Sequence, residues 1–139
     1  MSQTKIQKIL ILEDDKIQQL ILKKKLSLLF PELLIFIHST PTRAIDFLEV
    51  NEVDLIFLDL NLPEMSGWEI IDLLKKDSIE SKLILVSGSV SEEDKERVKK
   101  DGFIHAIYEK PVSNPDLLEI FGISLFSGLA LNNLINFGL

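Results

Sequence analysis

The stretch DLIFLDLNLPEMSGWE, residues 54–69, places a carboxylate directly after an apolar run and before a turn. Leu55–Leu58 is short and continuously apolar, which is typical of a strand buried on both faces of a sheet. Asp59 follows at the end of this strand, where a lone carboxylate would be costly to bury. Its side chain must therefore reach solvent at the strand's end or lie beside a cation.

On both sides of this stretch, strand-like runs alternate with helix-like runs as far as about residue 121. In the first helix, residues 16–30, the apolar spacing puts Ile17, Leu20, Ile21 and Leu28 on one side and Lys23–Lys25 toward water. Strands alternating with helices predict an α/β fold with a parallel sheet covered on both faces. The predicted strands are 5–12, 33–39, 54–60, 82–87 and 103–110, and the predicted helices are 16–30, 41–50, 66–76, 91–102 (closed by Gly102) and one that starts at 113.

Composition excludes several classes of function. A chain of 139 residues suggests one domain, and a net charge of −7 argues against direct binding of nucleic acid. The chain has no Cys, which excludes disulfides, thiol catalysis and Cys-ligated zinc. The first residues go directly into a strand-like run and do not resemble a signal peptide, so a cytoplasmic location is expected.

Polar side chains stand where four of the predicted strands end. In an open parallel sheet, the functional crevice lies beyond the carboxyl ends of the strands. The groups expected to converge there are Glu13, Asp14 and Asp15 after the first strand, Asp59 and Asn61 after the third, Ser87 after the fourth and Lys110 after the fifth.

These groups suggest phosphoryl transfer. Clustered carboxylates repel one another unless a cation lies among them, and oxygen ligands without Cys or a His pair favour Mg²⁺. Lys110 adds a positive charge for a phosphoryl oxygen, and Ser87 adds a hydroxyl group. Asp59 is the central carboxylate and therefore the natural nucleophile, which would form an aspartyl phosphate. Asp15 is expected instead to cap the first helix, because acids suit a helix N-terminus.

ILILEDD, DLIFLDLNLPEMSGWE, LILVSGS and YEKP occur in this order over about residues 5–121, and together they resemble the receiver domain of two-component response regulators. The resemblance implies a flavodoxin-like (βα)5 three-layer sandwich with the parallel strand order 2-1-3-4-5. It further implies a receiver domain over residues 4–124, with residues 125–139 as an uncharged apolar tail.

The family's roles transfer to matching positions. Asp59 would be the phosphoacceptor, Ser87 the switch hydroxyl and Lys110 the counter-charge, with a cis peptide bond before Pro111. The Mg²⁺ ligands would be Asp14, Asp59, the backbone carbonyl of Asn61 and, through water, Glu13. A sensor histidine kinase or phosphotransfer protein would donate the phosphoryl group, and a downstream protein target would read the conformational switch. The chain would be no enzyme beyond its own phosphorylation and dephosphorylation.

One position departs from the family. Three residues before the lysine, where an aromatic side chain is usual, stands Ile107, and Tyr108 should face the other side of its strand. The usual aromatic readout of phosphorylation is therefore in doubt.

Other functions remain open at this point. The chief alternative is a receiver-fold interaction or oligomerisation module that is not phosphorylated in use. A phosphatase with an aspartate nucleophile is disfavoured, because such enzymes usually need a second acid where Asn61 stands. Dinucleotide binding is weaker still, since no glycine-rich loop follows the first strand.

The tail is the least ordinary feature. After Glu119 no charged side chain appears through Leu139. Large apolar surfaces usually mark interaction sites, so self-association or partner binding is the favoured interpretation, and membrane contact is not expected. A homodimer could form through this tail or through the face made by the fourth helix, fifth strand and fifth helix.

Overall fold

Strands and helices alternate along residues 5–123, which are the residues that the structure, a computed structural model, describes. The strands are β1 (Lys8–Leu12), β2 (Leu34–His38), β3 (Leu55–Asp59), β4 (Lys82–Ser87) and β5 (Ala106–Glu109). The helices are α1 (Lys16–Leu29), α2 (Pro41–Val50), α3 (Gly67–Lys76), α4 (Glu92–Lys100) and α5 (Asn114–Ile120). Every predicted element is present, although several are shorter than predicted.

The five strands form one parallel sheet in the order β2-β1-β3-β4-β5. The flavodoxin-like topology implied by the family resemblance is therefore confirmed. In this order β1 and β3 are neighbours at the centre, with Leu12 beside Leu58. The residues that follow these two strands consequently emerge side by side at one edge.

Apolar side chains on the two faces of the sheet form two separate cores. Successive strand residues point to opposite faces. Leu58 packs with residues of α2 and α3, whereas Phe57 packs with residues of α1 and α5. The molecule is thus a three-layer sandwich, and the complete burial of β3 explains its continuous apolar sequence.

A side-chain oxygen accepts a backbone N–H at the start of every helix in residues 5–123. The caps are Asp15, Thr40, Ser66, Ser91 and Ser113. The Asp15 carboxylate accepts from the N–H groups of Ile17 and Gln18, so its predicted capping role is confirmed. This cap starts α1 immediately after the acidic residues that follow β1.

The predicted orientation of α1 is wrong. Ile17 and Leu20 are 69% and 65% exposed, and Ile21 and Leu28 are exposed as well. The buried residues of this helix are instead Gln19, Leu26 and Leu29. Because α1 carries apolar residues on two opposite sides, helical spacing alone could not distinguish the side that meets the sheet.

The turn after α4 also differs from the prediction. The helix ends at Lys100, and Asp101 rather than Gly102 is its C-terminal cap. Asp101 accepts hydrogen bonds from the N–H groups of Phe103 and Ile104. These two residues therefore belong to a turn, and β5 begins only at Ala106.

Helix α5 ends in a turn that redirects the chain. Gly122 has a φ of 73° and donates to the Glu119 carbonyl, while Ile123 donates to the Leu118 carbonyl. This pair of hydrogen bonds is a Schellman motif, which stops a helix. Phe121, within the turn, stacks on Phe30 at a centroid distance of 4.1 Å.

The predictions about residues 125–139, including their role in association, lie outside the described residues. Within residues 5–123, no helix combines the length and the apolar content needed to cross a membrane.

Candidate functional site

Three carboxylates meet at the carboxyl edge of the sheet. Glu13 and Asp14 follow β1, and Asp59 ends the neighbouring strand β3. One oxygen of each side chain lies within 4.8 Å of the others. Glu13 and Asp59 are buried, whereas Asp14 is exposed, so the cluster opens to solvent on one side.

Lys110 lies between two of these acids. Its Nζ donates to Glu13 Oε1 at 2.5 Å and to Asp59 Oδ2 at 2.9 Å. Its side chain is only 18% exposed, and those of Glu13 and Asp59 are 6% and 3% exposed. The Lys110–Pro111 bond is cis, as predicted. The ammonium group is therefore the cation that permits Asp59 to be buried.

The pKa values of the site reflect burial and pairing. Burial raises the pKa of Glu13 to about 7; hydrogen bonds from Lys110 and the Asp15 N–H oppose the rise, and the neighbouring Asp59 adds to it. Burial disfavours the charged form of Lys110, yet its hydrogen bonds to Glu13 and Asp59 outweigh that effect and raise its pKa. The raised pKa keeps the Lys110 ammonium group charged between the two buried acids.

Asn61 connects Asp59 with the next strand. Its backbone N–H donates to Asp59 Oδ1 at 2.9 Å, and its side-chain Nδ2 donates to Ser87 Oγ at 3.0 Å. The Ser87 hydroxyl in turn donates to the Ser89 carbonyl at 2.8 Å. The structure thus places every residue predicted for the site, apart from the capping Asp15, in one connected group.

Gln19 supports the site from α1 and was not predicted from the sequence. Its buried Nε2 donates to the Glu13 carbonyl at 2.6 Å and to Ser39 Oγ at 3.0 Å. These bonds join the loops after β1 and β2. A glutamine on the buried side of a helix was the available signal, but the wrong orientation of α1 concealed it.

Gly67 is a second residue whose role in the site was not predicted from the sequence. A Cβ atom on this residue would lie 2.6 Å from Leu60 Cδ2 and 2.7 Å from Leu60 Cα. The Gly67 N–H also donates to the Leu60 carbonyl at 3.0 Å. Helix α3 therefore starts in close contact with the residue that follows Asp59, which only a glycine permits.

The side chains of β5 alternate as predicted. Ile107 packs against the core on the α2 and α3 side, and Tyr108 packs against the opposite core. The Tyr108 hydroxyl donates to Glu119 of α5 at 2.6 Å. The position three residues before Lys110 thus carries an aliphatic side chain, as the sequence showed.

The donor set fits a hard divalent cation. The three carboxylates supply only oxygen ligands, and they are close enough to bind one ion together. Mg²⁺ commonly uses one or two carboxylates and keeps several waters. The exposure of Asp14 leaves room for such waters on the open side of the cluster.

Relatives of this chain are found among response regulators. The chain is 33% identical over 91 residues to the cell cycle response regulator CtrA of Brucella ovis; the match covers 65% of this chain and 38% of that protein. The chain thus spans about two fifths of the length of that relative.

Solved structures give the same result. A response regulator receiver domain from Methanospirillum hungatei is 30% identical, with a TM-score of 0.69 over 84% of this chain and 91% of the other. A two-component response regulator from Cytophaga hutchinsonii shares the fold, with a TM-score of 0.78 and 23% identity over 86% of this chain and 96% of the other. Residues 9–121 match the family described as the response regulator receiver domain. The chain therefore belongs to the response regulator receiver domain family.

Proposed function

We propose that Asp59 accepts a phosphoryl group in a reaction that requires Mg²⁺, and that the donor is a phosphohistidine of a sensor kinase or phosphotransfer protein. The observation that carries this proposal is the convergence of Glu13, Asp14 and Asp59 within 4.8 Å, with Lys110 Nζ 2.9 Å from Asp59. A buried carboxylate of this kind is held rigidly and has a cation beside it, as a phosphoacceptor requires.

The transfer step involves one new bond and one broken bond. A lone pair of an Asp59 carboxylate oxygen forms the O–P bond, and the P–N bond to the donor imidazole breaks with its electron pair remaining on nitrogen. The Asn61 N–H and Lys110 Nζ hold the two oxygens of Asp59 before the reaction. The carboxylate is thus oriented in advance, and Lys110 can afterwards pair with a phosphoryl oxygen.

Asp14, Asp59 and the Asn61 backbone carbonyl would hold the metal, with Glu13 acting through water. When bound, the ion supplies positive charge that offsets the negative charge of the phosphoryl oxygens. Lys110 donates to Glu13 and Asp59 in this structure. When a metal binds to the same carboxylates, the ammonium group would give up part of these contacts.

The output of this receiver would be a change of protein contacts. The Ser87 hydroxyl would turn toward the phosphoryl group, and the face of α4, β5 and α5 would change its affinity for a protein target or a second copy. With Ile107 at the aromatic position, we propose that the β4–α4 loop carries this signal without an aromatic rotation. We place the domain at about residues 4–124. We expect it to act in the cytoplasm and to return to the free carboxylate without turning over external substrates.

Labelling by a small phosphodonor such as acetyl phosphate tests the assignment. The native chain should gain one phosphoryl group in the presence of Mg²⁺ and none in excess chelator. Asp59→Asn should abolish labelling, because the amide cannot act as the nucleophile.

Asp15→Asn is the matched control for this experiment. It removes an acid next to the cluster but keeps a good helix cap, so labelling should persist. Labelling that persists in Asp59→Asn, or that is unchanged by the chelator, would contradict the proposal. It would favour the alternative, a receiver-fold interaction module that is not phosphorylated in use.

A further inference from the structure

The outer side of α1 is an apolar stripe that nothing in the described part of the chain covers. The stripe consists of Ile17, Leu20, Ile21 and Leu28, which are 69%, 65%, 37% and 43% exposed. At about 100° per residue these four lie within about 100° of one another. Leu26 and Leu29 point the opposite way, into the core. The helix therefore has two apolar sides, and only one of them packs against the sheet.

The stripe continues into a crevice beside α5. Ile21 and Leu22 of α1 line this crevice together with Pro111 and Val112 of the loop before α5. Lys25 Nζ donates to the Val112 carbonyl at 2.8 Å, which joins the helix to that loop. A segment that approached from the α5 side would thus meet these apolar side chains first and then the stripe, in which Lys24 is the one charged residue between Ile17 and Leu28 on that side.

The described chain leaves α5 next to one end of this stripe. Phe121 stacks on Phe30, the residue that follows α1, and the Schellman motif at Gly122 ends α5 there. The described chain therefore ends, at Ile123, close to the C-terminal end of α1.

The next residues have the composition that the stripe would bind. Residues 124–139, SLFSGLALNNLINFGL, contain no charged side chain, and nine of the 16 are apolar. The stripe is about 16 Å long from Ile17 to Leu28, and 16 residues reach about 24 Å even at the short rise of a helix. The segment that follows α5 is thus apolar in composition and long enough to span the stripe.

We propose that residues 124–139 seat on the outer side of α1 of the same chain and cover Ile17, Leu20, Ile21 and Leu28. The two segments are tethered, so their effective concentration is in the millimolar range and weak apolar contacts suffice. Because Ile17 follows the Asp15 cap, a tail seated along the whole stripe also borders the acidic pocket, and a protein that binds to α1 would have to displace it.

Cross-linking of introduced cysteines tests the proposal, since the natural chain has none. Lys24→Cys places a thiol in the middle of the stripe without removing an apolar side chain. Glu49→Cys, near the end of α2 on the opposite face of the sheet, is the matched control. Each is combined in the full chain with one tail cysteine at a time and treated with a short bismaleimide; the tail substitutions are Leu125→Cys, Leu129→Cys, Leu131→Cys and Ile135→Cys.

Seating in the same chain should give intramolecular adducts with Lys24→Cys about fivefold or more faster than with Glu49→Cys for at least one tail position, at a rate independent of protein concentration. Equal rates for the two thiols would overturn the proposal. Adducts that join only two chains would also overturn it, and would indicate that a second copy covers the stripe. The test needs no phosphodonor, so its outcome is separate from that of the proposed function.

A labelling rate provides the second measurement. The thiol of Lys24→Cys should react with a monofunctional maleimide about tenfold faster when Leu125, Leu129, Leu131 and Ile135 are changed to Ser, because the uncovered state is then the major one. The thiol of Glu49→Cys should not change. An unchanged rate at position 24 would refute seating on α1.

Discussion

Gly67→Ala should both destabilise the domain and slow phosphorylation. The added Cβ would lie 2.7 Å from Leu60 Cα, whereas ordinary contacts begin at 3.4 Å. Since a main-chain atom cannot rotate away, the loop after β3 must move by about 0.7 Å. Overpacking of this kind costs up to about 3 kcal/mol. The higher helix propensity of Ala offsets less than about 1 kcal/mol of this cost.

We therefore expect a net loss of about 2 kcal/mol. With a urea m-value of about 2 kcal/mol/M for a domain of this size, the unfolding midpoint should fall by about 1 M. The same loop carries Asn61, whose N–H holds Asp59 Oδ1. Labelling of Asp59 by the small phosphodonor should slow about tenfold or more under conditions in which the protein is folded, because catalysis is sensitive to misplacement on the ångström scale.

Gly102→Ala is the control for this variant. No atom lies within 4 Å of a Cβ at that position, and Gly102 does not have a positive φ. Its free energy of unfolding should stay within about 0.5 kcal/mol of that of the native chain. A Gly67→Ala chain that unfolds at the same urea concentration as the Gly102→Ala chain would refute the close contact between α3 and the loop after Asp59.

Three further predictions concern pairing and burial. Lys110→Met should cost about 3 kcal/mol in chelator, because it leaves two buried carboxylates unpaired, and less in Mg²⁺; equal losses in urea titrations under both conditions would contradict this. Asp101→Asn should cost about 0.5 kcal/mol at pH 7. The hydrogen bond from Lys75 lowers the pKa of Asp101, so this contribution is present above the usual carboxyl pKa and is lost as the pH falls through the lowered value; a difference that persists in acid would refute it. Leu26→Ala should cost about 3 kcal/mol and exceed Leu20→Ala by at least about 1.5 kcal/mol, and the reverse order in urea denaturation would restore the orientation of α1 predicted from sequence.

The sequence was sufficient to predict the sheet and the edge at which the site lies. A short, uninterrupted apolar run such as Leu55–Leu58 is typical of a strand at the centre of a sheet. Because a helix follows each strand along the chain, the strands pair in parallel. Asp59 and Lys110 could be placed together because both follow strands that end at the same edge. The strand order came from the family resemblance, since alternation alone permits other orders.

The rest depended on contacts between distant parts of the chain. Periodicity locates the apolar sides of α1 but not the one that meets the sheet, so Gln19 was missed along with the exposed stripe. Gly67 is an ordinary helix-start residue in sequence, and only the approach of Leu60 makes it necessary. The end of α4 was predicted too late in the chain. Asp101 ends the helix by accepting hydrogen bonds from the N–H groups of Phe103 and Ile104, so Gly102 is not its cap.

The Ser87 hydroxyl has a single hydrogen, and the Ser89 carbonyl takes it. Any new acceptor arriving at Asp59 can obtain that hydrogen only by displacing this carbonyl. The exposed Ser89 carbonyl would then accept from water, and the segment between β4 and α4 would lose this hydrogen bond to the end of β4. A charged group arriving at the end of β3 would thus be coupled, through the hydrogen bond of one hydroxyl group, to the backbone of the segment that follows β4.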